Sequence, residues 1–145
     1  MSLDLRIGGP DGMPVGEVFL REDGYWYLGT PYSRYPEGLA AAFRSAAKVA
    51  ALIARVGATV YSPIVHGHSL ALYGALDPLD HELWMRIDRP MMDGAHGLVV
   101  ACMPSWRESR GLEHEIERFR ARGAPVVYLD PPRGCLVSRC AGEAG

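Results

Sequence analysis

The residue best suited to chemistry in this sequence is a glutamate. Between Ser109 and Arg122, Leu112, Ile116 and Phe119 recur at helical spacing, and Glu115 lies at the border of that apolar stripe, three residues after Leu112 and four before Phe119. Arg120 flanks the stripe on its other side, so the helical wheel alone does not choose between the two. Position along the axis does, because Glu115 is near the helix start and Arg120 is a turn further on. A helix N-terminus favours an ionised carboxylate, which predicts a charged Glu115. A border glutamate with its head in solvent fits the same pattern. The loop ahead of it, Ser105-Trp-Arg-Glu-Ser-Arg-Gly111, brings hydroxyls, backbone N–H groups and Gly111 to a helix start. That combination suits a phosphate or a sugar hydroxyl, and equally a helix capped by Ser109.

A second polar loop, Thr30-Pro-Tyr-Ser-Arg-Tyr-Pro-Glu-Gly38, repeats the theme with Thr30 at its start and Ser33 and Arg34 as candidate phosphate ligands. Tyr32, Trp84 and Trp106 have faces on which a base can stack, although large aromatics also fill cores and interfaces. His66-Gly-His68, with Asp80 and His81 downstream, invites a metal reading, but two histidines need a third ligand from elsewhere. Local hydrogen bonding or a place in a pocket wall, the reading taken for His66, needs none. Asp88 sits among Trp84, Met85 and Ile87, whereas Asp93 reads as a cap or surface residue.

These residues need a frame. Tyr25–Gly29, Ala58–Ser62, Gly97–Cys102 and Pro125–Leu129 read as strands. Leu39, Phe43, Ala46, Ala50 and Ile53 mark a helix that Gly57 stops, and residues 64–93 form one or two short helices with loops, Leu79–Asp88 being the better. Strands alternating with helices imply an α/β fold, a three-layer doubly wound parallel sheet of flavodoxin-like shape. Such sheets bind ligands beyond the carboxyl ends of their strands, here after Leu28, Ser62 and Met103. Seven of the first 24 residues are Gly or Pro, a loop-like composition, so residues 1–24 read as a flexible segment in which Gly16–Asp23 can form an edge strand. Residues 25–130 form the domain and 131–145 a weakly patterned tail.

At 145 residues, 48% apolar and 22% charged, the chain has the size and composition of one globular domain. A net charge of -2 gives no electrostatic case for a nucleic-acid polymer. No apolar run approaches the ~20 residues of a membrane helix, and no secretory signal opens the chain. Three cysteines argue against a secreted disulfide framework. Cys102, in an apolar run, reads as a buried thiol, and Cys135 and Cys140 match no zinc spacing. A reducing cytoplasm is the expected address, with no cofactor.

Three segments in order resemble the nucleoside 2-deoxyribosyltransferase superfamily, which includes nucleoside 5′-monophosphate N-glycosidases. They are Tyr27-Leu-Gly-Thr-Pro-Tyr-Ser33, Asp88 ahead of Gly97-Leu-Val-Val100, and Ser109-Arg-Gly-Leu-Glu-His-Glu115. The arrangement looks closest to an uncharacterised bacterial and phage branch. The resemblance implies that Glu115 is a nucleophile attacking the anomeric carbon of a (deoxy)ribonucleoside, and that Asp88 positions substrate and assists proton transfer to the departing base. It implies that Ser109, and Ser33 with it, bind the 5′ end, and that the protein is a homo-oligomer. Trp84 and Trp106 are candidate interface residues. The sequence departs from the transferases at Leu112, at His96 and in the Ile-Glu-Arg-Phe119 continuation of the helix. Two other functions fit the residues: a nucleotide-binding module that keeps the pocket without turnover, and a metal hydrolase built on His66 and His68.

Overall fold

The computed structural model describes residues 24–131 and the backbone of 135–137. Four short strands, β1 (Trp26–Gly29), β2 (Val60–Tyr61), β3 (Gly97–Ala101) and β4 (Val126–Asp130), pair in parallel in the order β2-β1-β3-β4. A fifth, β5 (Cys135–Val137), pairs antiparallel with β4 at the edge. The helices are α1 (Leu39–Arg55), α2 (Pro63–Gly74), α3 (His81–Gly94) and α4 (Arg110–Ala121), with a 3-10 turn at Trp106–Glu108. This is the expected flavodoxin-like α/β fold. The chain passes from β1 to β2 on one side and then to β3 on the other, so the strand order reverses between β1 and β3. The carboxyl ends of those strands therefore part around a crevice.

The period-two alternation of the strands sorts side chains onto two faces. Trp26, Leu28, Val99, Ala101 and Leu129 pack with Val49 and Ile53 of α1. Tyr27, Leu98 and Val100 face the other way, against Met92 of α3 and Leu112 and Phe119 of α4. Leu28, Ile53, Leu98, Leu112 and Phe119 are each under 2% exposed, and burial of one such side chain stabilises by roughly 1.5–3 kcal/mol. Residues alternating along one strand thus lock helices onto both sides of the sheet.

Several boundaries differ from expectation, for local reasons. Ser62 leaves β2 because its hydroxyl accepts a hydrogen bond from Val65 N at 3.2 Å, capping α2 with Pro63 in the first turn. Helix α3 continues through Pro90 instead of ending at Asp88; burial of Met92 beyond the proline outweighs the lost helical bond. The tail contributes β5, which its composition did not reveal. Cys102 is disulfide-bonded, not the free thiol expected, which removes one ground for a reducing address. The possible edge strand at Gly16–Asp23 and the side chains of Cys135 and Cys140 lie outside the described residues. Among the described residues no helix is long and apolar enough to cross a membrane.

Candidate active site

Beyond the carboxyl ends of β1, β2 and β3 lies a cavity of about 650 Å³, within the range of small-molecule sites. The segment after β1 supplies Thr30, Tyr32 and Ser33 to its wall, and α2 supplies Ile64, Gly67 and His68. Trp84, Met85 and Asp88 come from α3, and Ser109, Gly111 and Glu115 from the start of α4. Glu115, Asp88, Thr30, Tyr32, Ser33, Trp84, Ser109 and Gly111, all singled out in the sequence, thus meet in one place.

Glu115 and Leu112 extend from α4 so that their side-chain ends meet the end of β1. A Cβ added at Gly29 would sit 2.5 Å from Leu112 Cδ1 and 3.3 Å from Glu115 Oε1. Only glycine at the end of β1 allows that approach. Ser109 caps α4, its Oγ accepting from Leu112 N at 3.2 Å, and thereby fixes the first turn that carries Glu115. At Gly111, by contrast, an added Cβ would meet nothing within 4 Å, so no packing contact requires a glycine there.

The two carboxyls share one electrostatic environment. Burial, reinforced by the negative charge of Asp88, lifts the pKa of Glu115 to about 8 against the pull of the Tyr27 hydroxyl. Asp88 rises to about 6, again mainly through burial, opposed by the Tyr61 hydroxyl and by nearby His66. Tyr61 donates to Asp88 Oδ1 at 3.3 Å. The Tyr27 hydroxyl is close enough to act on Glu115 but forms no hydrogen bond of regular geometry. A charged Glu115 was expected from its place near a helix start. A helix terminus contributes only about 0.3–1 kcal/mol at typical exposure, and desolvation of this carboxyl outweighs it. The pair therefore titrates at about 6 and about 8 and holds one proton between its two carboxyls at neutral pH.

Polar groups beside the pair remain open. Tyr27 Oη, Thr30 Oγ1 and His114 Nε2 are buried side-chain atoms of cavity residues and have no hydrogen-bond partner. Buried polar groups are normally satisfied, and small rotations would turn these toward a ligand. Tyr32 Oη pairs with His68 Nδ1 at 2.7 Å, and the His68 ring stacks on Phe43 at 4.4 Å.

Three expected ligand-binding residues are absent from the wall. Arg34 is exposed on the β1–α1 loop. His66 is exposed on α2, its ring 5.9 Å from Tyr61, and bears on the site only through the charge of Asp88. Trp106 is turned by the 3-10 segment against Tyr128, ring centroids 5.8 Å apart. His68, whose pair with His66 invited a metal or pocket reading, does line the wall. Tyr27 and Tyr61 were missed, because alternation along β1 shows that Tyr27 shares a face with Leu98 but nothing local marks its hydroxyl as a neighbour of Glu115. The metal reading of His66 and His68 finds no third ligand, since no group of three or more His, Cys, Asp or Glu among the described residues is placed to hold an ion.

Comparison with known proteins adds a family without a function. A family model described as a domain of unknown function, DUF1937, matches residues 24–130. No curated protein matches the chain. The match covers the sheet from β1 to β4, all four helices and every cavity residue named above, so the chain belongs to the DUF1937 family.

Proposed function

We propose that this protein cleaves or exchanges the N-glycosidic bond of small nucleosides or nucleoside 5′-monophosphates, with Glu115 as nucleophile. The observation that carries the reading is the carboxyl pair in one cavity. Between about pH 6 and about pH 8 the pair holds one proton and one charge. A double displacement needs that inventory: one carboxylate to bond the sugar and one acidic proton for the leaving base. As substrate enters, the Glu115 proton passes by way of Asp88 to a ring nitrogen of the base. The C1′–N bond breaks with its electrons going to that nitrogen, and a Glu115 oxygen bonds C1′. Water or the N–H of a second base, giving up its proton to Asp88, then attacks C1′ and frees Glu115.

The remaining wall suits the substrate. Trp84 and Tyr32 offer aromatic faces for the base. Thr30 and Ser33, with Ser109 and the N–H groups around Gly111, face the sugar and its 5′ end. The scheme uses only the protein's own side chains and requires no cofactor. The motifs that resemble the nucleoside 2-deoxyribosyltransferase superfamily are those that build this wall. A homo-oligomeric state, read by sedimentation, and a cytoplasmic address belong to the same proposal, the address now resting on substrate chemistry and not on free thiols.

Chromatography of free base, released from a panel of ribo- and deoxyribonucleosides and their 5′-monophosphates, tests the reading. Release is expected from at least one member; label exchange with an added second base marks a transferase and its absence a hydrolase. Ligand binding without release from any member would replace the enzyme with a nucleotide-binding module. Where release occurs, kcat/KM should trace a bell against pH. The low limb falls near 6, where both carboxyls become protonated, and the high limb near 8, where both are ionised. A rate that keeps rising above pH 9 would contradict the shared-proton scheme.

A further inference from the structure

A second cleft of about 310 Å³ opens beside the main cavity and shares His81, Met85 and His114 with it. Its floor is one face of α3. His81, Glu82, Met85, Arg86 and Arg89 follow at helical spacing, and His114 of α4 closes the opposite side. Asp88 lies between the two arginines in sequence but, at 100° per residue, is directed into the main cavity instead. One helix therefore presents a carboxylate to one space and two guanidinium groups to the next.

We propose that this cleft is a phosphate subsite, in which Arg86 and Arg89 receive the phosphate of a nucleotide whose sugar and base occupy the main cavity. The placement rests on the glycosidase reading above for the sugar and base, and on charge for the phosphate. Within the main cavity an anion would meet the Asp88 and Glu115 carboxyls. The side cleft offers two arginines and two histidines against one carboxylate, Glu82. Neither arginine forms an ion pair within the described residues. Asp93, one turn beyond Arg89, feels the charge of Arg89 but is held by Arg118 through bonds of 2.9 and 2.8 Å to its two oxygens. The unpartnered His114 Nε2 belongs to a residue that both spaces share, so a modest ring rotation would give a phosphate oxygen a third donor. Planar guanidiniums spaced three apart on a helix suit a phosphate, which accepts paired N–H bonds. The arginine singled out in the sequence for this task, Arg34, is not in either wall.

The experiment measures binding calorimetrically in the Glu115→Gln background, where substrate is not consumed, with a nucleoside, its 5′-monophosphate and inorganic phosphate as separate ligands. The monophosphate is expected to bind at least about tenfold more tightly than the nucleoside, a step of about 1.4 kcal/mol. Inorganic phosphate alone should compete with the monophosphate and not with the nucleoside. Adding Arg86→Gln and Arg89→Gln, both at exposed positions, should remove the preference and leave nucleoside binding within about twofold. A preference that survives both substitutions, or equal binding of nucleoside and monophosphate before them, overturns the subsite. The glycosidase reading fails separately: a phosphate preference lost with the arginines, alongside no base release by the parent protein, keeps the subsite and removes the reaction.

Discussion

Glu115→Gln should yield a protein that is more stable than its parent and at least about 10³-fold slower in base release. The loss follows from removing the proposed nucleophile, for which an amide oxygen is a poor substitute. The gain follows from linkage. The folded pKa of Glu115, about 8, lies above the ordinary value of 4.5, so the folded protein holds this proton more tightly than the unfolded chain does. The resulting stability is fully present below pH 4.5 and is lost as pH rises through 8. Glutamine has no such loss. The two proteins should therefore unfold at similar temperatures near pH 4.5 and diverge above it, the variant leading by on the order of 1–3 kcal/mol at pH 8. The unpartnered Tyr27 hydroxyl can accept from the new amide. Thermal unfolding of both proteins from pH 5 to 9 measures the divergence, and parallel curves would show that Glu115 is not held protonated by burial.

Gly29→Ala should impair the same site from outside it. The added methyl would lie 2.5 Å from Leu112 Cδ1 and 3.3 Å from both Leu98 Cδ1 and Glu115 Oε1. Leu112 and Leu98 are almost wholly buried and have little room to yield, so the methyl displaces Leu112 and Glu115 together with the turn of α4 that carries them. Overpacking of this kind costs about 1–3 kcal/mol. Glu115 moves with its helix, and an ångström of displacement can cost about 10²-fold in rate. The expected result is a fall in kcat of ten- to a hundredfold with a smaller change in KM, together with a Tm lowered by several degrees. An unchanged kcat in the destabilised protein would mean that the contact of Leu112 and Glu115 with Gly29 serves packing alone.

Much of this frame is legible from local pattern. The alternation of Trp26, Tyr27 and Leu28, and again of Leu98 to Ala101, announces strands buried on both faces. Glycines at 57 and 123, both at positive φ, mark where α1 and α4 stop. The doubly wound order then places the segments after β1 and β3 together, and that is enough to bring Thr30, Ser109 and Glu115 to one cavity, which Asp88 joins from α3. The Ser62-Pro63 pair is a capping signal that fixes the start of α2 and was not used. Pro90 misleads, because tertiary burial of Met92 carries α3 past it. What local pattern cannot supply is the partner across space. Tyr61 reads as a strand aromatic until its hydroxyl is found on Asp88, and Arg34 reads as a phosphate ligand until its loop is seen to turn outward. The charge state of Glu115 was misjudged for the same reason: a helix start is visible in sequence, and the depth of a carboxyl is not.

The account stands on a covalent bond between Glu115 and the sugar. The most direct test is rapid acid quench during turnover of the best substrate, followed by proteolysis and peptide mass mapping. The prediction is a peptide bearing Glu115 that is heavier by one glycosyl group, transient in the parent and absent from Glu115→Gln. Base release proceeding with the added mass on Asp88, or with no modified peptide at any quench time and undiminished in Glu115→Gln, would contradict it.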